Sequence, residues 1–253
     1  MKHVVRRPTG QSVAQDPDLW PQLVPQTLVE KVAEAVIAQA ARGVILPGDR
    51  IVESELGRRL GVSRVPVREA LRMLESQGIV VNEPYKGIRL REVTNRRVRD
   101  LIEARTALET TAAHRAVDTR RHLPPWTGAV EAATETMAEM AARSDAYGLA
   151  AADTAFHRAL CMLGGNTVIV DLWETLAQQL TIIFGIATFC KPIKGIVAEH
   201  DEVIDALRAG DGAAFDRLME VHILEYSRAV DYAALVQQLR QIAEARKAGS
   251  RNA

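Results

Sequence analysis

Leu60-Gly61-Val62-Ser63-Arg64-Val65-Pro66-Val67-Arg68-Glu69-Ala70-Leu71 is the stretch on which the reading of this chain turns. Gly61 stops a short helical run that begins at Glu53, and Gly61-Val62-Ser63 makes the turn. A second helix then starts near Ser63 and continues to Gln77, where Gly78 ends it. At about 100° per residue, Val67, Ala70, Leu71 and Leu74 fall within an arc of roughly 100°, a face suited to packing on other helices. Arg64, Arg68 and Arg72 lie on a separate arc centred roughly 110° away. Arginines on one helix are equally an ordinary solvated face, so the elements around them have to decide. Pro66 falls in the first turn, where a missing N–H does little harm.

Working outward, Thr27-Leu28-Val29-Glu30 is a capping box that opens a helix running to about Arg42, closed by Gly43. Pro47-Gly48-Asp49 signals a turn. Beyond the arginine helix, Ile79-Val80-Val81 and Ile88-Arg89-Leu90 read as strands of a hairpin joined by the loose turn Asn82 to Gly87. Helix, turn, helix, turn, helix, hairpin is the order of a winged helix-turn-helix, placed at residues 25–93. Its third helix would enter the major groove of DNA. In that reading Arg64 reads a base, and Arg68 reads a base or clamps a phosphate. Arg72 shares their arc, and Val65 belongs to the same first turn. Ser63 and the free N–H groups behind it meet a phosphate. Lys86 at the wing tip lies along the backbone or in the minor groove, and Gly87 permits close approach.

Composition agrees with two modules. The 253 residues carry no net charge, yet residues 1–99 have 17 Lys/Arg against 11 Asp/Glu, and residues 100–253 have 15 against 21. A basic front half and an acidic rear half suit a DNA reader joined to a second domain. Residues 1–24 are polar and without period, and read as a flexible tail. Two isolated cysteines, Cys161 and Cys190, argue for a reducing compartment. No secretory leader and no stretch long enough to span a membrane can be found, so the protein is expected to be cytoplasmic.

From about residue 94 every segment reads as helix: 94–118, 126–143, 146–163, 166–189, 193–209, 211–231 and 233 to about 247. Breaks fall at Pro124-Pro125, Gly164-Gly165, Pro192 and Gly210-Asp211-Gly212. The expected fold is therefore mainly α: the winged head, then an all-α antiparallel bundle over 94–250.

Leu46-Pro47-Gly48-Asp49-Arg50, Glu55-Leu56 and the stretch from Leu60 to Leu71 together closely resemble the reading head of GntR-family regulators, over about residues 26–92. This chain departs from the family's usual residues at Gly57 (commonly Ala) and Val65 (commonly Thr). It also has Ser54 where some members place a DNA-contacting arginine. An all-α domain after such a head resembles the FadR subfamily, whose FCD-type effector domain in many members holds a divalent metal on one Asp and three His.

The matching residues are present. Asp153 and His157 stand four apart on one helix, beside the stripe of Leu149, Phe156, Leu160 and Leu163. His200 lies within the stripe of Ile196, Val197, Val203, Ile204 and Leu207. His222 is centred among Phe215, Leu218, Met219, Tyr226 and Ala229. A lone core histidine is ordinarily just a hydrogen-bonded core residue; four such groups in the subfamily's order point to a metal. Imidazole and carboxylate suit zinc first, with nickel, manganese or iron as alternatives. His3, His114 and His122 read as tail or surface.

An octahedral ion would leave two positions for water or for a ligand carboxylate, and the resemblance implies a small organic-acid effector there. The 4% aromatic content suits a small polar acid. Arg105 matches an arginine common in the subfamily, and either faces the cavity or bridges through Glu103 or Glu109. Asn166 resembles the subfamily's Gly-Asn, and either contributes to the effector site or caps the next helix. The expected function is a ligand-responsive repressor, acting as a homodimer on a palindromic double-stranded DNA operator. Alternatives are the same regulator with a purely structural metal or no effector, and a metal-dependent hydrolase with Glu199 beside His200 as its base. The absence of HExxH and of a nucleophile motif weighs against the hydrolase.

Overall fold

The computed structural model describes residues 27–190 and 193–249; the tail expected over residues 1–24 lies outside them. The capping box forms: Thr27 N–H donates to Glu30 Oε2 at 2.7 Å and Glu30 N–H to Thr27 Oγ1 at 3.3 Å. It opens α1 (Leu28–Ala41), which is followed by α2 (Glu53–Leu60) and α3 (Arg64–Ser76). Two antiparallel strands form the wing, β1 (Val80–Glu83) and β2 (Gly87–Leu90), with Val80 opposite Leu90 and Glu83 opposite Gly87. Pairing thus runs further into the Asn82–Gly87 segment than the strand composition indicated, because Tyr85 and Gly87 both take positive φ and close the turn tightly. The Pro47-Gly48-Asp49 turn feeds a short third edge: Arg50 bridges Arg89, and Ile51 N–H donates to the Ile88 carbonyl at 2.8 Å.

The remainder is helical: α4 (Asn95–Asp118), α5 (Gly128–Ala142), α6 (Ala146–Leu163), α7 (Thr167–Ala187), α8 (Ile193–Ala209) and α9 (Gly212–Met219). A π-helical segment, Glu220–Glu225, then leads into α10 (Tyr226–Ala229) and α11 (Tyr232–Gly249). The single helix expected over 211–231 is therefore interrupted. Neither Gly nor Pro marks the break, and π-turns characteristically occur where a functional side chain must be re-aimed. His222 lies within this segment.

Two apolar cores result. One lies under the head, where Val36, Ala40, Val67, Leu71, Leu74 and Leu90 close on one another. The other fills the bundle around Phe156, Leu160, Trp173, Leu180 and Phe215. α7 serves both, sending Ile182 and Ile186 into the head core and Ile183 and Ala187 into the bundle core. α11 does the same with Leu235 and Leu239 on one side and Tyr232 on the other.

Candidate functional site

α3 presents the face that its sequence pattern assigns to DNA. Val67, Ala70, Leu71 and Leu74 are buried, while Ser63, Arg64, Val65, Arg68 and Arg72 are exposed. Ser63 is the N-cap, but its hydroxyl makes no capping hydrogen bond, which leaves it available to an outside acceptor. Arg68 lies 3.5 Å from Glu53 Oε2, Arg72 donates to Glu69 at 2.9 Å, and Lys86 stands 3.1 Å from Glu83. Among the described residues Arg64 makes no ion pair. Pairs as exposed as these contribute about 0–1 kcal/mol each, and a phosphate displaces them readily. Val65 is 71% exposed, and Tyr85, which the sequence did not single out, stands fully exposed at the wing tip. Gly57 has a local reason: a Cβ there would lie 3.0 Å from the Val62 carbonyl, inside the turn that sets α3 against α2.

In the bundle, Asp153 and His157 on α6, His200 on α8 and His222 on the π-helical segment converge. One potential ligand atom from each lies within 4.8 Å of all the others. Each imidazole is anchored outward through Nδ1: His157 to Glu109 Oε2 at 2.8 Å, His200 to the Ile196 carbonyl at 2.7 Å, and His222 to Glu199 Oε2 at 3.1 Å. Those partners are acceptors, so Nδ1 carries the proton and Nε2 is left as an inward-facing lone pair. His157 Nε2 lies 3.4 Å from His222 Nε2, and His200 Nε2 lies 3.1 Å from Asp153 Oδ1 without hydrogen-bond alignment. Asp153 Oδ2 and His200 Nε2 are buried without a hydrogen-bond partner. Lone pairs so crowded repel one another unless a cation sits among them, and outward-anchored imidazoles are how proteins orient metal ligands. The donor set fits a divalent transition metal.

The electrostatics keep those lone pairs available. Burial drives the His157 ring well below its ordinary pKa, with the Arg105 guanidinium adding to the effect. Burial likewise takes His222 down to about 4, against the hydrogen bond to Glu199. Burial works to raise the Asp153 carboxyl, yet His200, His157 and Arg105 hold it well below the usual carboxylate range.

Beside the cluster a small cavity of about 50 Å³ is lined by Arg105, Asp153, His222, Thr188 and Ser227 on its polar side and by Leu149, Phe184 and Ile196 among its apolar walls. Arg105 lines the cavity and pairs along its own helix. Its Nε donates to Glu109 Oε1 at 2.7 Å, its guanidinium covers the Phe184 ring at 4.7 Å, and one terminal nitrogen is buried without a partner. Glu103 is not its partner; Glu109 is.

Asn166 is not among the residues lining the cavity. Its side chain accepts from Val168 and Ile169 N–H and caps α7, some 18 residues (about 27 Å of helix) from Phe184. The geometry therefore places Asn166 at a helix end and not in the effector chamber. His122 is buried, not a surface group, with Nδ1 3.3 Å from the Ala116 carbonyl. His114 is exposed and pairs with Asp216 at 2.8 Å; His3 lies outside the described residues.

Trp173 escaped the sequence reading, and Glu109 entered it only as a possible partner of Arg105. Glu109 and Trp173 are both wholly buried, and Trp173 Nε1 donates to Glu109 Oε1 at 2.7 Å. The signal for Glu109 was present: it follows Arg105 by one helical turn on the stripe shared with Ile102, Ala112 and Ala116, a charged pair where only apolar residues are expected.

A winged head with an arginine-bearing helix, fused to a bundle that encloses a polar chamber, defines a DNA-binding regulator with a separate effector domain. Comparison with known proteins agrees. Residues 28–90 match the family described as bacterial regulatory proteins, gntR family, and residues 100–225 match the FCD domain. A curated relative named "Probable D-xylose utilization operon transcriptional repressor", from Paenarthrobacter nicotinovorans, is 28% identical over 81% of this chain and 89% of its own. An "Uncharacterized HTH-type transcriptional regulator in unstable DNA locus" from Streptomyces ambofaciens is 30% identical over 71% of this chain and 75% of its own. Among solved structures, E. coli McbR/YncC superposes with a TM-score of 0.66 at 20% identity, covering 84% of this chain and 99% of that one. The chain belongs to the GntR family of bacterial regulatory proteins and carries an FCD domain. It is a DNA-binding transcription regulator and not an enzyme, and its FCD domain implies a small-molecule effector. No described helix is long and apolar enough to cross a membrane.

Proposed function

We propose that this regulator is of the FadR subfamily, a cytoplasmic repressor that senses a small organic acid at a metal-containing chamber in its helical domain, residues 94–250. Asp153, His157, His200 and His222 would hold the divalent ion, zinc first and nickel, manganese or iron next. The observation that carries this reading is the set of buried lone pairs facing one another with every Nδ1 already committed outward. Bound there, the ion supplies a Lewis-acidic docking point for a carboxylate. Arg105 supports the same ligand class, since its buried, unpartnered nitrogen lines the cavity and offers a charge-assisted hydrogen bond.

On the head, residues 25–93, Ser63, Arg64, Val65, Arg68, Arg72, Lys86 and Gly87 would meet DNA, with Arg64 reading a base edge. A homodimer on a palindromic operator doubles the few contacts one head can make. α7 joins the two functions: Phe184 and Ala187 line the cavity, while Ile182 and Ile186 pack in the head core. Ligand that repacks this wall of the chamber shifts how the head is held, which is a coupling between two sites.

Elemental analysis of untagged protein beside Asp153→Ala tests the reading. About one equivalent of metal per chain, lost in the variant, is expected; no metal in either removes the chamber's chemistry. Calorimetric titration of metal-loaded protein with a panel of organic acids then tests the ligand class, and uniformly absent heat rejects it.

A further inference from the structure

Glu109 sits at the junction of the cation site and the effector cavity without belonging to the ligand set of either. It is wholly buried on α4, and both of its oxygens are used. Oε1 accepts from Arg105 Nε and from Trp173 Nε1, each at 2.7 Å, and Oε2 accepts from His157 Nδ1 at 2.8 Å. It thereby ties α4 to α6 and α7 through one hydrogen bond each and to Arg105 on its own helix through a third.

We propose that Glu109 is the positioning residue that fixes the tautomer of His157 and, through the same carboxylate, aims Arg105 into the cavity. The inference rests on the metal reading of the cluster. Its logic is one of donors and acceptors. An ionised carboxylate only accepts, so it can face three donors at once. It therefore holds the His157 proton on Nδ1 and leaves Nε2 as a lone pair towards Asp153, His200 and His222. The same carboxylate holds Arg105 by Nε alone, which leaves a terminal nitrogen free for a ligand carboxylate. Cation affinity and the aim of the anion-binding arginine thus depend on one side chain that touches neither ligand.

The isosteric change Glu109→Gln breaks this arrangement by chemistry rather than by shape. An amide has one accepting oxygen and one donating nitrogen. If its oxygen serves Arg105 and Trp173, its NH2 faces His157 Nδ1, which must then accept, and the ring proton moves to Nε2, where the cation would bind. If the amide turns over, its NH2 meets the Arg105 and Trp173 donors head-on. Neither orientation satisfies all three partners.

The test has two readouts. Long-range proton–nitrogen NMR of the metal-free protein reports the His157 tautomer, with the signal assigned by its loss in His157→Gln. Competition with a chromophoric chelator reports zinc affinity. Wild type should show the Nδ1–H tautomer. Glu109→Gln should show Nε2–H, or a mixture, and should bind zinc about 10–100-fold more weakly, the usual cost of losing a partner behind a metal-bound histidine. Trp173→Phe, which removes one donor from Oε1 but leaves Oε2 on His157, should keep the tautomer and stay within about 3-fold of wild-type affinity. An Nε2–H tautomer in wild type overturns the proposal, and so does unchanged zinc affinity in Glu109→Gln. If Glu109→Gln does not fold, the wild-type tautomer and Trp173→Phe still decide. If wild type takes up no zinc, the cation reading fails separately, and the tautomers alone uphold or reject the role of Glu109.

Discussion

The reading head and the bundle treat charge in opposite ways. On the head, Arg64, Arg68, Arg72 and Lys86 are exposed, and where they are paired their partners are exposed or half-buried carboxylates. In the bundle, Arg105, Glu109, His157 and His200 are all at most 2% exposed; Glu109 ties Arg105, His157 and Trp173 together, and His200 stands 3.1 Å from Asp153. Surface charge costs little to hold and is free to meet phosphate, so the head carries its function at almost no expense in stability. Buried charge must be satisfied from within the fold, so in the bundle stability rests on the side chains that surround the cluster.

Removing a cation on each side exposes the contrast. Arg105→Ala should show the largest effect on folding. It strands the Glu109 carboxylate, whose pKa burial already pushes up against the pull of Arg105 and Trp173. Removing one partner of a buried pair costs about 3–5 kcal/mol, to be read from denaturant unfolding. A loss under about 1 kcal/mol, the scale of an exposed pair, would mean that Trp173 and His157 suffice to satisfy the carboxylate. Arg64→Ala is the counterpart. It should leave stability within about 0.5 kcal/mol and weaken binding to a selected operator by about 1–3 kcal/mol, with discrimination lost at one base position. Uniform weakening across sequences, with a shallower salt dependence, would reassign Arg64 to a phosphate.

The same contrast explains what the sequence disclosed. The head is built from local signals: the Thr27/Glu30 box, Gly61 and Gly78 as stops, and a helix whose apolar and arginine arcs separate cleanly. The residues of the bundle's buried cluster were also legible, because Asp153 and His157 share a helical turn and His200 and His222 each sit on an apolar stripe. What stayed hidden depends on contacts between distant segments. Glu109 acquires its meaning only when α6 and α7 bring His157 and Trp173 against it. The π-helical turn at Glu220–Glu225 has no breaker residue to announce it, so a uniform 3.6-residue period runs through it unnoticed. Asn166, an asparagine after two glycines, reads as a cap ahead of a ligand, and its hydrogen bonds from Val168 and Ile169 N–H place it as the cap of α7.

A third region, the seam between head and bundle, tests whether the contrast has a clean boundary. Gly185 on α7 packs so closely on α1 that a Cβ would lie 2.6 Å from the Ala41 carbonyl oxygen and Cβ. Backbone atoms cannot step aside cheaply, so Gly185→Ala should cost about 1–3 kcal/mol by overpacking. Part of that strain should appear as altered operator affinity, because the helix that moves also lines the effector cavity. A destabilised variant with unchanged operator binding would mean that α7 supports the head without steering it.

Arg240 on α11 should give the smallest effect of the series, for a reason that separates strength from alignment. Its guanidinium reaches the head's turn, donating to Asp49 Oδ1 at 2.6 Å and to the Pro47 carbonyl at 2.8 Å. Asp49 Oδ2 meanwhile accepts from Leu46 N–H at 2.9 Å, so the turn keeps its own internal bond without Arg240. The pair is partly exposed, which limits it to about 0.2–1 kcal/mol. The seam's affinity comes instead from Ile182, Ile186, Leu235 and Leu239 in the head core. Arg240→Ala should therefore leave unfolding a single transition, lower stability by less than about 1 kcal/mol, and speed amide exchange at Gly48 and Ile51, whose N–H groups join this turn to the wing. A loss above about 2 kcal/mol, or a second unfolding transition, would instead make the ion pair the tie between head and bundle. The seam would then be fastened by charge, as the inside of the bundle is, and the boundary between the two regimes would lie within the head's own turn.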